Sequence, residues 1–359
     1  MKKYSCKWMS LALAMVMLLG MVVGMSGCLQ QEPVKDKEIA AREGLKGKVI
    51  SILSASTSTF AGYIPVNDGF NLEHRARYPQ SNLLTDVNET WWMQLIVDLD
   101  AKLGINDSWA GSQVFNNRKG NSGDLGEDAC MASLTRIRNL GSNGTPDVIL
   151  FYGGGNDVGR LVPLGTFDPK TAPTEVDLST SIWQTFADAY TDAVMRLQYY
   201  YPDALLVIML PPYVVSYYTA EELALYSAVM VKIAEHYGVP YIDLRETKTT
   251  RNELPDGTHP NALGMDYITE LVTEKLLQFS DLKPGENKVY SVSHSLKNAE
   301  ATKGYIKGIS AGGSFREWIK GSNENVKVIM GGVDITDRCY RNGTIYIEKV
   351  TGNIRIVSV

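Results

Sequence analysis

Cysteine and histidine are both scarce in this 359-residue chain, with four of each. Beyond Cys28 only Cys130 and Cys339 remain, far apart and in segments of different character. Neither a disulfide framework nor a cysteine metal site is therefore expected, and both read as buried free thiols. Histidine, cysteine and carboxylates nowhere gather at metal-ligand spacing, so no metal and no other cofactor is expected. Basic residues are not concentrated either. The net charge is −5, and no basic stripe alternates with aromatics, which argues against nucleic acid as a partner. A complete dinucleotide fingerprint is missing as well. Gly153-Gly154-Gly155-Asn156-Asp157 follows an apolar run, but position 158 is Val, and Gly159 falls one residue late for G-x-G-x-x-G. The hydrophobic fraction of 44% and charged fraction of 21% are those of an ordinary folded soluble protein. The length predicts one large domain and a smaller one.

The one long apolar run lies at the N-terminus. Lys2, Lys3 and Lys7 precede an apolar stretch from Trp8 to about Val23, and Met25-Ser26-Gly27 leads directly into Cys28. Residues 1–27 resemble a bacterial lipoprotein signal, with Cys28 as the lipidated first mature residue. Two acyl chains at ~0.8 kcal/mol per buried CH₂ suffice for stable anchoring, so the expected contact with a membrane is through this lipid alone. A plain transmembrane anchor is the competing reading, because the run approaches the ~20 residues that span a bilayer. The small residues ending just at Cys28 favour the lipoprotein. Residues 28–46 are polar and charged and read as a spacer.

From Lys48 onward apolar runs alternate with helical periodicities. Lys48 to Leu53, Pro146 to Tyr152, Ala204 to Leu210 and Val239 to Leu244 read as buried strands. Between them helices are expected from Glu89 to about Leu103, with Trp92, Leu95, Ile96, Leu99 and Leu103 inward, and from Ala129 to Leu140. Further helices are expected from about Ile182, from the capping box Thr219-Ala220-Glu221-Glu222, and from Asn261 to about Phe279. Strands alternating with helices imply a parallel sheet covered on both faces, with ligands outside the carboxyl ends of the strands. After a Pro-Gly linker the character changes. Val326 to Met330, Thr344 to Ile347 and Ile354 to Val357 are short alternating strands separated by glycine turns. Domains are thus expected at 47–282 and 288–359, the second a small all-β module that should be separable.

Four strand-end segments carry chemistry. Ser54-Ala55-Ser56-Thr57-Ser58 offers hydroxyls at a strand-to-helix turn, Gly111 a backbone N–H, and Asn156 an amide. Asp256-Gly257-Thr258-His259 places a carboxylate three residues before an imidazole in one tight loop. Such a carboxylate fixes the imidazole tautomer, leaving the other ring nitrogen to take a proton.

Together these blocks resemble the SGNH/GDSL hydrolase superfamily of esterases, lipases and carbohydrate deacetylases, over roughly residues 47–280. The resemblance implies a flavodoxin-like three-layer α/β/α fold, with Ser56 as nucleophile, His259 as general base and Asp256 as its orienting carboxylate. It also implies an oxyanion hole from Ser56 N–H, Gly111 N–H and the Asn156 side chain. One departure stands out: the family's Gly-Asp-Ser is Ser54-Ala55-Ser56 here. A register with Ser54 or Ser58 as nucleophile therefore stays open, as does a degenerate protein of this fold that binds glycans without hydrolysis. The C-terminal segment resembles β-sandwich modules appended to bacterial extracellular carbohydrate-active proteins. The leading expectation is a lipid-anchored esterase of the cell envelope acting on an O-acetyl or similar ester of a carbohydrate. No long apolar lid is evident, which disfavours a true lipase.

Overall fold

The computed structural model describes residues 37–64, 76–115, 130–179, 183–214, 216–280, 289–301, 307–310, 315–321 and 325–358. The leader, Cys28 and the linker near 282–288 lie outside the described residues. The chain divides into two units, Met1–Lys46 and Gly47–Val359. In the first, residues 37–45 form a helix (α1). No described helix is long and apolar enough to cross a membrane.

In the second unit the uninterrupted apolar runs become the centre of a sheet. β1 (Val49–Ser54), β3 (Val148–Tyr152) and β5 (Leu205–Leu210) are buried almost throughout. β2 (Lys102–Ser108) and β6 (Tyr241–Asp243) lie at the edges of the order β2-β1-β3-β5-β6, and every pairing is parallel. Side chains alternate between the two faces. Leu53, Ile149, Phe151 and Ile208 pack with α3 (Leu134–Asn139), α5 (Phe186–Tyr200) and α6 (Ala220–His236). Ile50, Ile52 and Leu150, at the intervening positions, are equally buried. On that side α2 (Trp91–Asp98) and α7 (Ala262–Phe279) pack together, joined by a Thr269 hydroxyl donating to the Trp91 carbonyl. This is the expected parallel sheet between helical layers.

Several boundaries differ from the sequence-based expectation. The helix opened by Thr90 ends at Asp98, not near Leu103. Asp100 takes a left-handed φ of 49°, which stops the helix, and Leu103 belongs to β2. α3 spans only Leu134–Asn139, because Ser133 caps it by accepting from the Arg136 N–H. α5 starts at Phe186, behind a Thr185–Asp188 capping box, and Ile182 lies outside the described residues. The capping box expected at Thr219 and Glu222 is present.

Beneath the sheet's carboxyl edge an ion pair is sealed from water. The Arg136 and Asp107 side chains are 0% and 2% exposed, with Nε donating to Oδ1 at 2.7 Å. Arg136 Nη2 also donates to the Asp107 carbonyl at 2.6 Å and to the Ser54 carbonyl at 3.0 Å. Asn139 satisfies the other carboxylate oxygen at 2.8 Å. Removing one partner of such a pair leaves an uncompensated charge and typically costs about 3–5 kcal/mol.

The C-terminal residues form two further sheets. One has the order β13 (Tyr340–Arg341), β14 (Thr344–Ile347), β10 (Phe315–Gly321), β8 (Ala299–Ala301). The other runs β12 (Val333–Asp334), β11 (Val326–Met330), β15 (Ile354–Ser358), β7 (Val289–Ser295), β9 (Lys307–Ser310), β4 (Glu175–Asp177). They have a core of their own around Val292, Phe315, Val328, Ile345 and Ile356. The module is nevertheless not built from C-terminal residues alone. β4 comes from between β3 and α5 and pairs antiparallel with β9, Val176 opposite Gly308. Cys130 and Cys339 are buried free thiols.

A chain ending at residue 281 is expected to keep a cooperative thermal transition, since among the described residues the two buried clusters have no member in common. Its midpoint should fall by a few degrees, because it loses the three-residue pairing of β4, on the order of 1–3 kcal/mol, and the packing of α5 against β7. Aggregation, or a melt without cooperativity, would place the boundary elsewhere.

Candidate active site

β1 delivers its last residue, Ser54, into a single 3₁₀ turn over Ser56–Ser58. The turn is closed by the Ser58 N–H donating to the Ala55 carbonyl and the Thr59 N–H to the Ser56 carbonyl, each at 3.1 Å. Three serine hydroxyls sit here, and two are spoken for. Ser58 Oγ donates to Ser54 Oγ at 2.9 Å and accepts from Trp91 Nε1 at 3.2 Å, and both serines are buried. Ser56 is only partly buried, and its Oγ meets His259 Nε2 at 2.8 Å. The Ser54–Ser58–Trp91 chain stiffens the turn from below, at the place where the family pattern carries Gly-Asp.

The histidine loop is shaped by its own carboxylate. Asp256 Oδ1 accepts the N–H groups of Thr258 at 2.9 Å and His259 at 2.7 Å, an Asx turn. Gly257 occupies φ 81°, where a Cβ would lie 2.6 Å from Ser216 Oγ, so both conformation and space require glycine. Asp256 Oδ2 lies 2.8 Å from His259 Nδ1. A carboxylate can only accept, so Nδ1 carries the proton and Nε2 presents its lone pair to Ser56. Burial pushes the Asp256 carboxyl up, but the backbone N–H groups and the imidazole outweigh it and hold it at about 2. Burial pulls His259 below its ordinary value, against the upward pull of Asp256.

The other two expected residues reach the same place. Gly111, at φ 77°, turns the chain after β2. Asn156 stands on the short helix α4 (Gly155–Gly159) at the end of β3. Its Nδ2 donates to the Ser112 carbonyl at 2.8 Å, tying the two turns together. Among the described residues no acceptor takes the Ser56 or Gly111 N–H. Ser56, Gly111, Asn156 and His259 all line one cavity of about 340 Å³. Tyr152, Pro211, Tyr213 and Tyr217 form its wall. Cys28 lies outside the described residues. No group of three or more His, Cys, Asp or Glu among the described residues is placed to hold a metal ion.

Sequence reasoning missed two supports. Asp157, fully buried beside Asn156, accepts from the Val114 N–H at 3.0 Å and the Phe115 N–H at 2.9 Å. It thereby clamps the segment that follows Gly111, and burial raises its carboxyl to about 7. Arg77 donates through Nη2 to Asp256 Oδ2. Asp157 sat next to a residue already singled out, whereas Arg77 lay in a stretch without periodicity and gave no local signal.

A hydroxyl, an imidazole and a carboxylate in line, with unpaired N–H groups beside the hydroxyl, can deprotonate an alcohol and stabilise an oxyanion. The family model of the GDSL-like lipase/acylhydrolases matches residues 48–276. Among solved structures, a protein described as a GDSL-like lipase from Bacteroides ovatus is 25% identical, with a TM-score of 0.50. That match covers 65% of this chain and 99% of that one. A second such protein, from Bacteroides uniformis, is 28% identical over 64% of this chain and 95% of that one, with a TM-score of 0.48. A carbohydrate acetylesterase from Sinorhizobium meliloti is 14% identical over 65% of this chain and 99% of that one, with a TM-score of 0.43. No curated protein sequence matches the chain. With the greater part of its length matched, the chain belongs to the GDSL-like lipase/acylhydrolase family and is a hydrolase acting on ester bonds.

Proposed function

We propose that the chain is a serine esterase in which Ser56, His259 and Asp256 act as nucleophile, general base and orienting carboxylate. One observation carries this reading: His259 bridges Ser56 Oγ and Asp256 Oδ2 at 2.8 Å on each side, across 203 residues of sequence. Ser56 Oγ attacks the ester carbonyl while its proton passes to His259 Nε2. The oxyanion is held by the N–H groups of Ser56 and Gly111 and by the Asn156 amide. Collapse breaks the bond to the leaving alcohol, which takes the proton from Nε2. Water, deprotonated by the same nitrogen, then releases the acid and restores Ser56.

The substrate we assign is an O-acetyl or similar small ester on a carbohydrate. In support, the cavity is modest in volume, and exposed Tyr213 with Tyr217 and Pro211 gives a sugar ring flat apolar faces. The place we assign is the bacterial cell envelope, through a lipid on Cys28, on the strength of the leader's charge, apolar run and small residues. Replacing Cys28 by Ser is expected to abolish incorporation of labelled fatty acid, and unchanged labelling would remove the lipid anchor from this picture.

A fluorophosphonate probe followed by peptide mass spectrometry is expected to modify Ser56 alone, in wild type and in the Ser54→Ala and Ser58→Ala variants. Ser56→Ala and His259→Ala should each lower acetate release from an acetylated sugar by about 10⁴–10⁶, and Asn156→Ala by about 10²–10³. Modification at Ser54 or Ser58 would refute the register. No modification, with acetate release at the buffer rate, would favour a glycan-binding protein without hydrolysis.

The pH profile follows from His259. It acts neutral, so kcat/KM is lost as pH falls through its pKa, which lies below the ordinary value of about 6.5. Activity should therefore be flat through pH 7, with an acid limb centred below 6.5. Asp256→Asn removes the charge that raises His259, so its limb should move lower still while turnover drops by about 10⁴. An acid limb centred above pH 7 in the wild type would contradict this electrostatic account.

A further inference from the structure

Residues 76–80 cross from the nucleophile turn to the histidine loop. On the serine side, the Arg77 N–H donates to Thr59 Oγ1 at 2.7 Å, and that hydroxyl donates to the Ser56 carbonyl at 2.8 Å. The Ala61 N–H donates to the Tyr78 carbonyl at 2.9 Å. On the histidine side, Tyr78 Oη donates to the Pro260 carbonyl at 3.0 Å. The Tyr78 ring stands edge-on to His259, with centroids 6.5 Å apart. Between these anchors Arg77 Nη2 reaches Asp256 Oδ2, the oxygen that also takes the Nδ1–H of His259. We propose that Arg77 is a positioning residue of this esterase, locking the Asp256 carboxylate and sharing its charge so that His259 remains a neutral base. The assignment rests on the catalytic reading of Ser56, His259 and Asp256.

Two physical effects support it. The first is geometric. Asp256 Oδ1 is held by two backbone N–H groups and Oδ2 by the imidazole and the guanidinium, so the carboxylate has no free rotation left. The strap that brings Arg77 is itself pinned to both loops, so the guanidinium also sets the spacing between them. The second is electrostatic. A lone carboxylate against Nδ1 would raise the imidazole pKa and protonate the base nearer neutrality. A permanently charged guanidinium on the same oxygen cancels part of that field. Arg77 pulls His259 in the same direction as burial and opposite to Asp256. The groups facing the ring are Asp256 from its own loop, Arg77 and Tyr78 from the strap, and Ser56 from the turn. Burial pushes the Tyr78 phenol well above its ordinary range, so it stays neutral. Charge at the ring is therefore set by Asp256 and Arg77.

The test reads His259 directly. With four histidines in the chain, ¹³C-histidine labelling gives few Cε1–H signals, and that of His259 is the one lost in His259→Asn. Arg77→Ala and Arg77→Gln are expected to raise the His259 midpoint by about half to one pH unit. Arg77→Lys, which keeps the charge, should leave it within about 0.2 unit. The acid limb of kcat/KM should move with the midpoint in each variant, and kcat/KM of Arg77→Ala should fall about tenfold on the plateau. Should Arg77→Ala fail to fold, Arg77→Gln carries the comparison. An unchanged or lowered midpoint in the folded Ala or Gln variant overturns the proposal, as does a limb that stays fixed while turnover falls. The midpoint needs no turnover. An unlabelled wild-type Ser56 would count against the esterase reading, whereas an unmoved midpoint would count against Arg77.

Discussion

A guanidinium closed off from water holds the active edge of this molecule together. Moving a charge of that kind out of water costs several kcal/mol, offset only where every N–H finds an acceptor. For Arg136 the acceptors among the described residues include the Asp107 carboxylate and the carbonyls of Asp107 and Ser54, at the carboxyl ends of β2 and β1. The charge thus fastens the two strand ends to each other and both to α3. Its plane also lies over the Trp109 ring, 4.8 Å from the centroid, at the start of the turn that carries Gly111. The Ser56 turn and the Gly111 turn are therefore held from one point beneath them.

Above that point the site consists of short polar loops that each satisfy themselves and then reach for a neighbour. Asp256 closes its own turn before it touches His259. Ser54 and Ser58 satisfy one another, and Ser56 is the serine of this turn whose hydroxyl meets His259. Asn156 and Asp157, adjacent on α4, bind opposite ends of the segment 112–115. The loss of Gly-Asp from the first block is thus met by a different buttress made of serine hydroxyls and an indole N–H, with Ala55 packed against the core.

What could be read from the residues were features whose physics is local. The buried strands announce themselves as apolar runs, and Thr219 with Glu222 is a cap closed within four residues. Asp256 and His259 share one loop, so their partnership is visible at a spacing of three. What escaped was long-range or conformational. The apolar spacing of Leu95, Leu99 and Leu103 continues straight through a left-handed Asp100, so helix and strand look like one element. Arg77 meets a partner 179 residues away, and Asp157 meets two main-chain N–H groups about 42 residues upstream. Contacts between a side chain and a distant backbone leave no periodicity to detect. β4 is three residues long and becomes a strand only because β9 exists to pair with it.

That last pairing has a consequence during synthesis. β4 leaves the ribosome about 130 residues before its partner β9. At 5–20 residues per second, it waits roughly 7–26 seconds with no strand partner. Its composition suits the wait. Val176 turns inward to the core, while Glu175 and Asp177 flank it with like charges along an edge too short to template another chain. The seam between the two parts of the protein is thus guarded electrostatically until the residue that closes it has been made.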